Sequence, residues 1–482
     1  MALAPQAAEY DLLHRMSEFL DLHMIFPLME HAQDLKSVYN SDDLARAKSE
    51  LMEFTQLDPK SAEQKQALAK DLAELEAQAK PLLALSVDAL AELRTNKRLT
   101  LATLQSAPHS VSAVALDAFF RLGKLQYEMG KYAESTATLG LYREITQGSS
   151  NAVSSDEVAE RSFDALWGKL AGEIAQLVSS SSNGKKNDEV AVQALQDLRE
   201  LSKLLEAKDS NPLRQVNNLE QLQFRRWMLH WSLFVFFHQE NKVGLVDFML
   251  GDAAALLRAR NNQSSTSTGA SSSSSGLSQG HLRNRNVLEN HCPWLLRYVV
   301  AAHLVNKNRK SSTTKDLVQL VEQEAHFYSD PLCELFLVLS SQFDMERALV
   351  LVKRCEQVFY VDYFLSKWKV ELMINIRALI MEMHCKLSTK VDVNQLCIKL
   401  GGSEEEAIQF VQDFCNRPKP SSSSNSAGAA TAARLDAESH KLVMATNQAP
   451  VWQVCGDRIK DLLARSNNLE SGILAMQNEG TM

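Results

Sequence analysis

Residues 115–147 have the sequence ALDAFFRLGKLQYEMGKYAESTATLGLYREITQ, and the architecture of the chain follows from them. Large apolar residues recur three or four positions apart on both sides of Gly130, which indicates two helices joined by a short turn. The residues that make up the pattern are Phe119, Leu122, Gly123, Tyr127, Gly130 and Tyr132. Gly123 provides a small residue where the two helices must come close. The stretch therefore predicts an antiparallel helix pair.

This spacing is close to the tetratricopeptide pattern. One such pair cannot bury its own apolar face, so neighbouring helices must stack on it. Glycine (18 residues) and proline (11 residues) are sparse in a chain of 482 residues, which favours long helices. We predict a mostly α fold that begins with a right-handed helical solenoid of the tetratricopeptide or HEAT type, over residues 1–375.

The composition and the N-terminus indicate an intracellular globular protein. Hydrophobic residues make up 45% of the chain, charged residues 23%, and the formal net charge is −8, so general attraction to nucleic acid is not expected. The N-terminus has no signal-peptide pattern. The longest apolar run, Trp227–Phe237, is far shorter than the roughly 20 residues that span a bilayer. We predict a buried helix there, with His230 and His238 as core or edge histidines, and no membrane contact.

All seven cysteines lie after residue 290. Their number is odd, and no two of them have C-x-x-C spacing, so a disulfide framework or a zinc knuckle is not indicated. Reduced and mostly buried thiols are expected instead. The cysteines are Cys292, Cys333, Cys355, Cys385, Cys397, Cys415 and Cys455.

Residues 376–446 have a different pattern from the solenoid. Helical stretches up to about residue 414 are followed by two strand-like runs, Ala433–Asp436 and Lys441–Ala445, joined by a polar turn. Three helices followed by a hairpin is the element order of a winged helix, so this domain is predicted to be one. Three Ser-rich tracts, 179–187, 261–280 and 418–433, contain almost nothing to bury and are predicted to be disordered.

The last 33 residues, 450–482, form a segment that we call the tail. Its apolar residues are spaced alternately three and four apart, which is a heptad seam interrupted only by Ser466. The seam residues are Trp452, Cys455, Ile459, Leu462, Leu469, Ile473 and Met476. A helix of this kind would leave an apolar stripe in water. We expect it to join a helical bundle with other chains, and packing within this chain is the alternative.

No pattern for catalysis or cofactor binding is found. The chain has no H-E-x-x-H zinc motif and no G-x-S-x-G nucleophile elbow. Gly401-Gly402 precedes a helix, but three glutamates follow, and an acidic first turn repels phosphate. We predict a non-enzymatic protein without cofactor, metal or small-molecule substrate.

The winged helix raises the question of nucleic-acid binding. The helix in the recognition position, Ser403–Asn416, carries Glu404, Glu405, Glu406 and Asp413 and no basic residue. These charges would face phosphates in a groove, so a protein-docking role is favoured. Arg434 and Lys441 lie in the predicted hairpin, and a weak RNA contact through this wing is the alternative.

The order of solenoid, winged helix and long helix resembles the PCI family, which is shared by the proteasome lid, the signalosome and eukaryotic translation initiation factor 3. Five runs are similar to a PCI component of initiation factor 3. They are YDLLHRMSEFLDLHMIFPL (10–28), QYEMG with Tyr132 (126–132), LWGKLAGEI (166–174), WMLHWSLFVFFH (227–238) and RLDAESHKLV (434–443). The Ser-rich tracts and residues 50–110 have no counterpart in that family.

The resemblance implies a domain layout and a function. The layout is an N-terminal helical repeat region (1–225), the helical part of a PCI domain (226–375), a winged helix (376–446) and a C-terminal helix (450–482). The implied function is a non-catalytic scaffold in initiation factor 3, supporting its assembly on the small ribosomal subunit and mRNA recruitment, in the cytoplasm and with a nuclear pool. Partner contacts are expected at the residues Trp452, Ile459, Leu462, Leu469, Ile473, Arg434 and Lys441.

Two alternatives remain open at this point. A scaffold subunit of the proteasome lid or the signalosome would have the same domain order, and would associate with ubiquitin-pathway complexes. A metal-dependent isopeptidase of those complexes would need an H-x-H pair, which this chain lacks.

Overall fold

The structure, a computed structural model, divides into two compact units, Met1–Asn375 and Ile376–Met482. We call them unit 1 and unit 2. The residues that the structure describes are 10–35, 41–54, 62–84, 87–95, 103–104, 111–147, 156–179, 185–210, 218–238, 244–250, 284–306, 311–388, 390–392, 395, 398–401, 403, 405, 409, 432–436, 441–445 and 451–479.

Unit 1 consists of helices that pack largely on their neighbours in sequence. In succession, α6 packs on α7, α7 on α8, α8 on α9 and α9 on α10. The helices are α1 (Leu13–Ser17), α2 (Leu22–Asp34), α3 (Ser41–Phe54), α4 (Ala62–Leu83), α5 (Val87–Thr95), α6 (Ala113–Glu128), α7 (Tyr132–Gln147), α8 (Asp156–Ser179), α9 (Lys185–Ser210), α10 (Asn218–Phe236), α11 (Gly244–Leu250), α12 (Leu296–Val305), α13 (Ser311–Glu324), α14 (Pro331–Leu337), α15 (Met345–Val361), α16 (Tyr363–Ser366) and α17 (Lys369–Leu387), which contains the division point. The prediction of a mostly α fold is confirmed.

The predicted helix pair is present as α6 and α7. Ser112 caps α6 by accepting a hydrogen bond from the backbone N–H of Ala115. The turn between the helices contains Gly130, whose φ of 78° is left-handed and favours glycine. A Cβ atom on Gly123 would lie 2.8 Å from Leu139 Cδ2, so only glycine lets the two helices approach this closely.

The next pair, α7 and α8, is held close by a glycine step in the LWGKLAGEI run. A Cβ atom on Gly168 would lie 2.9 Å from Leu139 Cδ1, and one on Gly172 would lie 2.7 Å from Thr136 Cγ2. These glycines are four residues apart and therefore lie on one face of α8. The run matters for packing because its small residues bring two helices together.

The N-terminal segment differs from its prediction. The three- and four-residue spacing of Leu13, Met16, Leu20 and Met24 predicts one helix over residues 9–31, kinked or ended at Pro27. The structure has two helices instead, with Pro27 inside α2. The break lies at residues 18–21, where extended Asp21 accepts a hydrogen bond from the N–H of His23 and caps α2. The cap at Asp21 therefore sets this helix boundary. The helix continues past Pro27, where the next two residues, Leu28 and Met29, are buried.

Three other expectations can be compared with the described residues. Cys292, Cys333, Cys355 and Cys385 are buried free thiols, as predicted, and Cys455 is exposed. No helix in the described part of the chain is long and apolar enough to cross a bilayer. The prediction of a disordered loop over 179–187 is wrong at both ends, because Ser179 ends α8 and residues 185–187 begin α9. Residues 180–184, 261–280 and 418–431 lie outside the described residues.

A buried ionic cluster links α8 to α9. Lys169 Nζ lies 2.7 Å from Asp197 Oδ2 and 3.5 Å from Glu173 Oε1. Burial, followed by the charge of Asp197, raises the pKa of Glu173 to about 8, although Lys169 opposes the shift. Glu173 is therefore mostly protonated at neutral pH, and one lysine serves one ionised carboxylate.

Glu173→Gln is expected to change the pH dependence of stability. Between pH 4.5 and about 8 the folded state keeps a proton that the unfolded state loses. Wild-type stability should therefore fall as pH rises, by up to about 1.4 kcal/mol per pH unit. The amide cannot ionise, so the melting temperature of the variant relative to wild type should increase steadily from pH 5 to pH 8. Melting curves across this range test it, with Glu76→Gln, an exposed site, as the control. Parallel curves for wild type and Glu173→Gln would contradict the assignment.

Unit 2 contains a small antiparallel sheet. Its strands are β1 (Lys390–Val391), β2 (Ala432–Asp436) and β3 (Lys441–Ala445), in the order β1-β3-β2. The hairpin β2–β3 was predicted and is confirmed within one residue, whereas β1 was not predicted. Residues 395, 398, 399, 405 and 409 are helical, and they lie between β1 and β2 along the chain. The last element is α18 (Val451–Glu479), which confirms that the tail is helical.

Candidate partner-binding surfaces and the core that supports them

The N-terminal segment, residues 10–35, packs against helices far from it in sequence. The carbonyl oxygen of Phe19 accepts a hydrogen bond from Trp231 Nε1 at 3.1 Å. The Phe19 ring lies 4.6 Å from the ring of His230 and 4.2 Å from the guanidinium carbon of Arg226. The segment is thereby attached to α10 through a backbone hydrogen bond, ring stacking and a cation–π contact.

Two tyrosines of the helix pair bind the same segment. Tyr127 Oη donates a hydrogen bond of 2.6 Å to Asp21 Oδ1, and Tyr132 Oη lies 3.0 Å from His23 Nδ1. Burial and the charge of Asp21 raise the pKa of Tyr127 well above its ordinary value, and burial lowers the pKa of His23. Tyr127 and His23 are therefore both neutral near pH 7. The hydrogen bonds of Tyr127 to Asp21 and of Tyr132 to His23 hold the start of α2 against the helix pair.

The third attachment joins α8 to α10 through indole rings. The ring of Trp167 meets that of Trp231 edge to face, with centroids 4.9 Å apart, and lies 6.4 Å from that of Trp227. Four of the five runs that carry the family resemblance are therefore connected to one another by a series of contacts within unit 1. They are 10–28, 126–132, 166–174 and 227–238.

A buried arginine fixes the start of the chain to the other end of unit 1. Arg297 is 2% exposed, and its Nη2 and Nε donate to Asp330 Oδ1 at 2.6 and 2.9 Å. Its Nη1 donates to Asp362 Oδ2 at 3.1 Å and to the carbonyl oxygen of Tyr10 at 2.8 Å. Tyr298 Oη also donates to Asp362 Oδ2, at 2.7 Å. One guanidinium thus serves two buried carboxylates and a backbone carbonyl.

Both of these aspartates also begin helices. Asp330 accepts a hydrogen bond from the N–H of Leu332 at the start of α14, and Asp362 accepts two from the first turn of α16. Each carboxylate therefore meets the positive end of a helix on one side and Arg297 on the other. This network was not predicted from the sequence. Its only local indication is Asp330-Pro331, a cap residue followed by a first-turn proline, which predicts the start of a helix.

The predicted partner-binding residues of the tail lie on α18. Trp452, Ile459, Leu462 and Leu469 are 75%, 62%, 59% and 69% exposed. The side chain of Ile473 lies outside the described residues. Cys455 of the seam is exposed as well. The five seam residues whose side chains are described therefore present an apolar stripe along one side of a helix.

The predicted wing residues lie on paired strands. Arg434 on β2 is opposite Val443 on β3, and Asp436 is opposite Lys441 at the turn end of the hairpin. The backbone thus places Arg434 and Lys441 on neighbouring strands of one hairpin.

Comparison with known proteins gives a consistent result. The sequence profile of the family described as "eIF3 subunit 6 N terminal domain" matches residues 11–126. The match spans residues 50–110, so the expectation that they have no counterpart in the family is wrong. The E subunit of eukaryotic translation initiation factor 3 from Arabidopsis thaliana is 25% identical over 96% of both chains. The proteins of that name from Bombyx mori and Aspergillus oryzae are 25% and 29% identical, over 96% and 84% of this chain and 95% and 82% of theirs. The chain is similar over most of its length to E subunits of initiation factor 3. The resemblance that the five runs indicated is thereby confirmed.

The region that the profile matches packs against residues beyond its own end. The matched region, 11–126, contains Asp21 and Phe19, but their partners Tyr127 and Trp231 lie beyond its end. The N-terminal region that the chain shares with its initiation factor 3 relatives therefore depends on later helices for its packing.

His230 of the apolar run is a core histidine with partners for both ring nitrogens. His230 is fully buried, its Nδ1 lies 2.7 Å from the carbonyl of Arg226, and its Nε2 accepts a hydrogen bond from Trp294 Nε1 at 3.0 Å. Burial lowers the pKa of His230 to about 4, so it is neutral. The predicted buried helix is confirmed for 228–236, Phe237 is buried in the turn that follows, and Trp227 is 39% exposed at the edge of the aromatic cluster. Within the described residues, no group of three or more His, Cys, Asp or Glu could hold a metal ion.

Tyr127→Phe is expected to destabilise the chain by about 1.5–3 kcal/mol, because it removes a buried donor to an ionised carboxylate. Tyr132→Phe removes a neutral hydrogen bond instead and should cost only about 1 kcal/mol. Urea unfolding of both variants gives the comparison. A Tyr127→Phe variant no less stable than Tyr132→Phe would show that Asp21 does not depend on this hydroxyl.

Proposed function

We propose that the chain is a non-catalytic scaffold subunit of eukaryotic translation initiation factor 3, which supports assembly on the small ribosomal subunit and mRNA recruitment in the cytoplasm. The observation that carries the proposal is similarity to relatives from initiation factor 3 over as much as 96% of both chains. The mostly helical fold and the convergence of four family-like runs on one packed cluster support it.

The proposed mechanism assigns separate tasks to the two units. In unit 1, the contacts between the N-terminal segment and α6, α10 and α12 give a rigid helical body. In unit 2, the exposed seam of α18 enters a bundle with helices of other subunits, and the hairpin β2–β3 provides a second contact. We retain the predicted domain limits, 1–225, 226–375, 376–446 and 450–482, as part of this proposal.

The exposed seam supplies the driving force for assembly in this proposal. Burying one large aliphatic side chain contributes about 1.5–3 kcal/mol. Ile459, Leu462 and Leu469 are all more than half exposed in the single chain, so this burial remains to be gained when a partner helix covers them.

Affinity purification of the tagged full-length chain from its own cells, followed by mass spectrometry, tests the proposal. We expect initiation factor 3 subunits and proteins of the small ribosomal subunit to be enriched together. Enrichment of proteasome-lid or signalosome subunits instead would contradict the proposal and favour the alternative scaffold role.

A further inference from the structure

A cleft in unit 1 opens where α8 and α10 end, beside α16. Its cavity volume is about 30 Å³, and the cleft is open to solvent. Most of its lining is apolar or aromatic, and two residues carry basic side chains. The lining residues are Leu177, Val178, Phe234, Phe237, His238, Tyr363, Phe364 and Lys367.

The lining residues of the cleft contact one another and Trp368, which lies outside the lining. Trp368 Nε1 donates a hydrogen bond of 3.2 Å to the carbonyl oxygen of Phe237. The rings of Phe234 and Phe364 meet edge to face with centroids 4.9 Å apart, and those of Tyr363 and Phe364 with centroids 5.1 Å apart. The cleft is thus preformed, so a ligand would not have to organise it.

The basic groups of the cleft have unused hydrogen-bonding capacity. Lys367 Nζ lies 3.3 Å from Tyr363 Oη and 4.7 Å from the centroid of its ring. His238 Nε2 is buried and has no hydrogen-bond partner among the described residues. A lysine has three donors and a buried unpaired ring nitrogen is unfavourable, so both groups can still bind an acceptor.

The charge balance of the cleft points to an acidic ligand. Burial lowers the pKa of Lys367 and of His238, the nearby charge of Lys367 lowers that of His238 further, and Asp188 opposes this. No carboxylate is among the lining residues. A bound carboxylate would favour the charged forms of both groups, while the aromatic walls would enclose the methylene groups next to it.

We infer that this cleft binds an aspartate or glutamate side chain of another subunit, with the carboxylate accepting hydrogen bonds from Lys367 Nζ and His238 Nε2. The inference rests on the proposed function, because it requires a parent complex. It assigns unit 1 a second joint, separate from the seam of the tail.

Zero-length carbodiimide coupling of the intact purified complex tests the inference. The reagent joins a lysine amine to a carboxylate in direct contact with it, forming an amide bond and releasing a urea. We expect peptide mass spectrometry to find Lys367 joined to an Asp or Glu of another subunit. Coupling of Lys367 only to this chain would overturn the inference. Glu240, which follows His238 by two residues and lies outside the described residues, is the acidic residue to check first, with Glu240→Gln as the matching variant.

Two variants separate binding from folding. Lys367→Met changes a residue that is exposed in the free chain, so the melting temperature of the free chain should be unchanged, while recovery of the complex at limiting dilution falls about tenfold. Lys353→Met, an exposed lysine on α15, is the matched control and should alter neither quantity. A lower melting temperature for Lys367→Met, or wild-type recovery of the complex, would overturn the inference. If the purified wild-type chain brings no initiation factor 3 subunits with it, the proposed function is contradicted. If the complex forms but Lys367 is not coupled to another subunit, only the binding of a carboxylate in the cleft is refuted.

Discussion

Replacing Leu462 and Leu469 together with aspartate is expected to lower incorporation into the parent complex by two to four orders of magnitude. Two aliphatic side chains in a helical seam contribute about 1.5–3 kcal/mol each, and about 1.4 kcal/mol corresponds to a factor of ten. Burying the new charges would be unfavourable as well. The free chain should unfold at the wild-type temperature, because both residues are more than half exposed.

Quantitative co-purification at equal expression measures this effect. Ala464→Asp with Asn467→Asp adds the same charges on the side of α18 away from the seam, and this control should assemble normally. If the free Leu462/Leu469 variant loses cooperative unfolding, the seam is internal core. If it is folded and co-purifies at the wild-type level, the joint lies elsewhere, and the hairpin around Arg434–Lys441 becomes the next candidate.

Arg297→Met is expected to be the most destabilising single substitution considered for unit 1. It leaves Asp330 and Asp362 buried without their cation and removes the hydrogen bond to the carbonyl of Tyr10. Breaking a buried ion pair from one side costs about 3–5 kcal/mol, a large part of the roughly 5–15 kcal/mol that stabilises a typical protein. We expect most of the variant to be insoluble, or to melt at least about ten degrees lower.

Two further variants distinguish charge from size in this experiment. Arg347→Met removes an exposed arginine that lies 3.7 Å from Glu334 and should change stability by less than about 1 kcal/mol. Arg297→Met combined with Asp330→Asn and Asp362→Asn should recover part of the loss, because asparagine can still cap a helix but carries no charge. A triple variant no more stable than Arg297→Met would show that lost packing is responsible for the effect.

Features with a local pattern could be predicted from the sequence. The hairpin followed from two short strand-like runs separated by a polar turn, and the pair α6–α7 from its glycines and apolar spacing. The helical tail followed from its heptads. In each case neighbouring residues contain most of the information, so the prediction does not require knowledge of what packs on the element.

Features created by distant contacts could not be predicted. Strand β1 has two residues and exists because Lys390 and Val391 pair with Val443 and Leu442. The burial of Arg297 depends on two carboxylates 33 and 65 residues away. Trp227 is exposed although the rest of its run is buried, and this depends on which helices surround the run. Because the run has no polar side, its sequence does not indicate which residue faces solvent.

Sedimentation of cell extracts in sucrose gradients tests the central claim most directly, because it asks whether the chain is part of the initiation machinery. We expect the wild-type chain to sediment with the small ribosomal subunit, together with initiation factor 3 subunits. The variant with aspartate at Leu462 and Leu469 should instead remain at the top of the gradient. A wild-type chain that sediments apart from the small subunit, with the proteasome lid or the signalosome, would contradict the central claim.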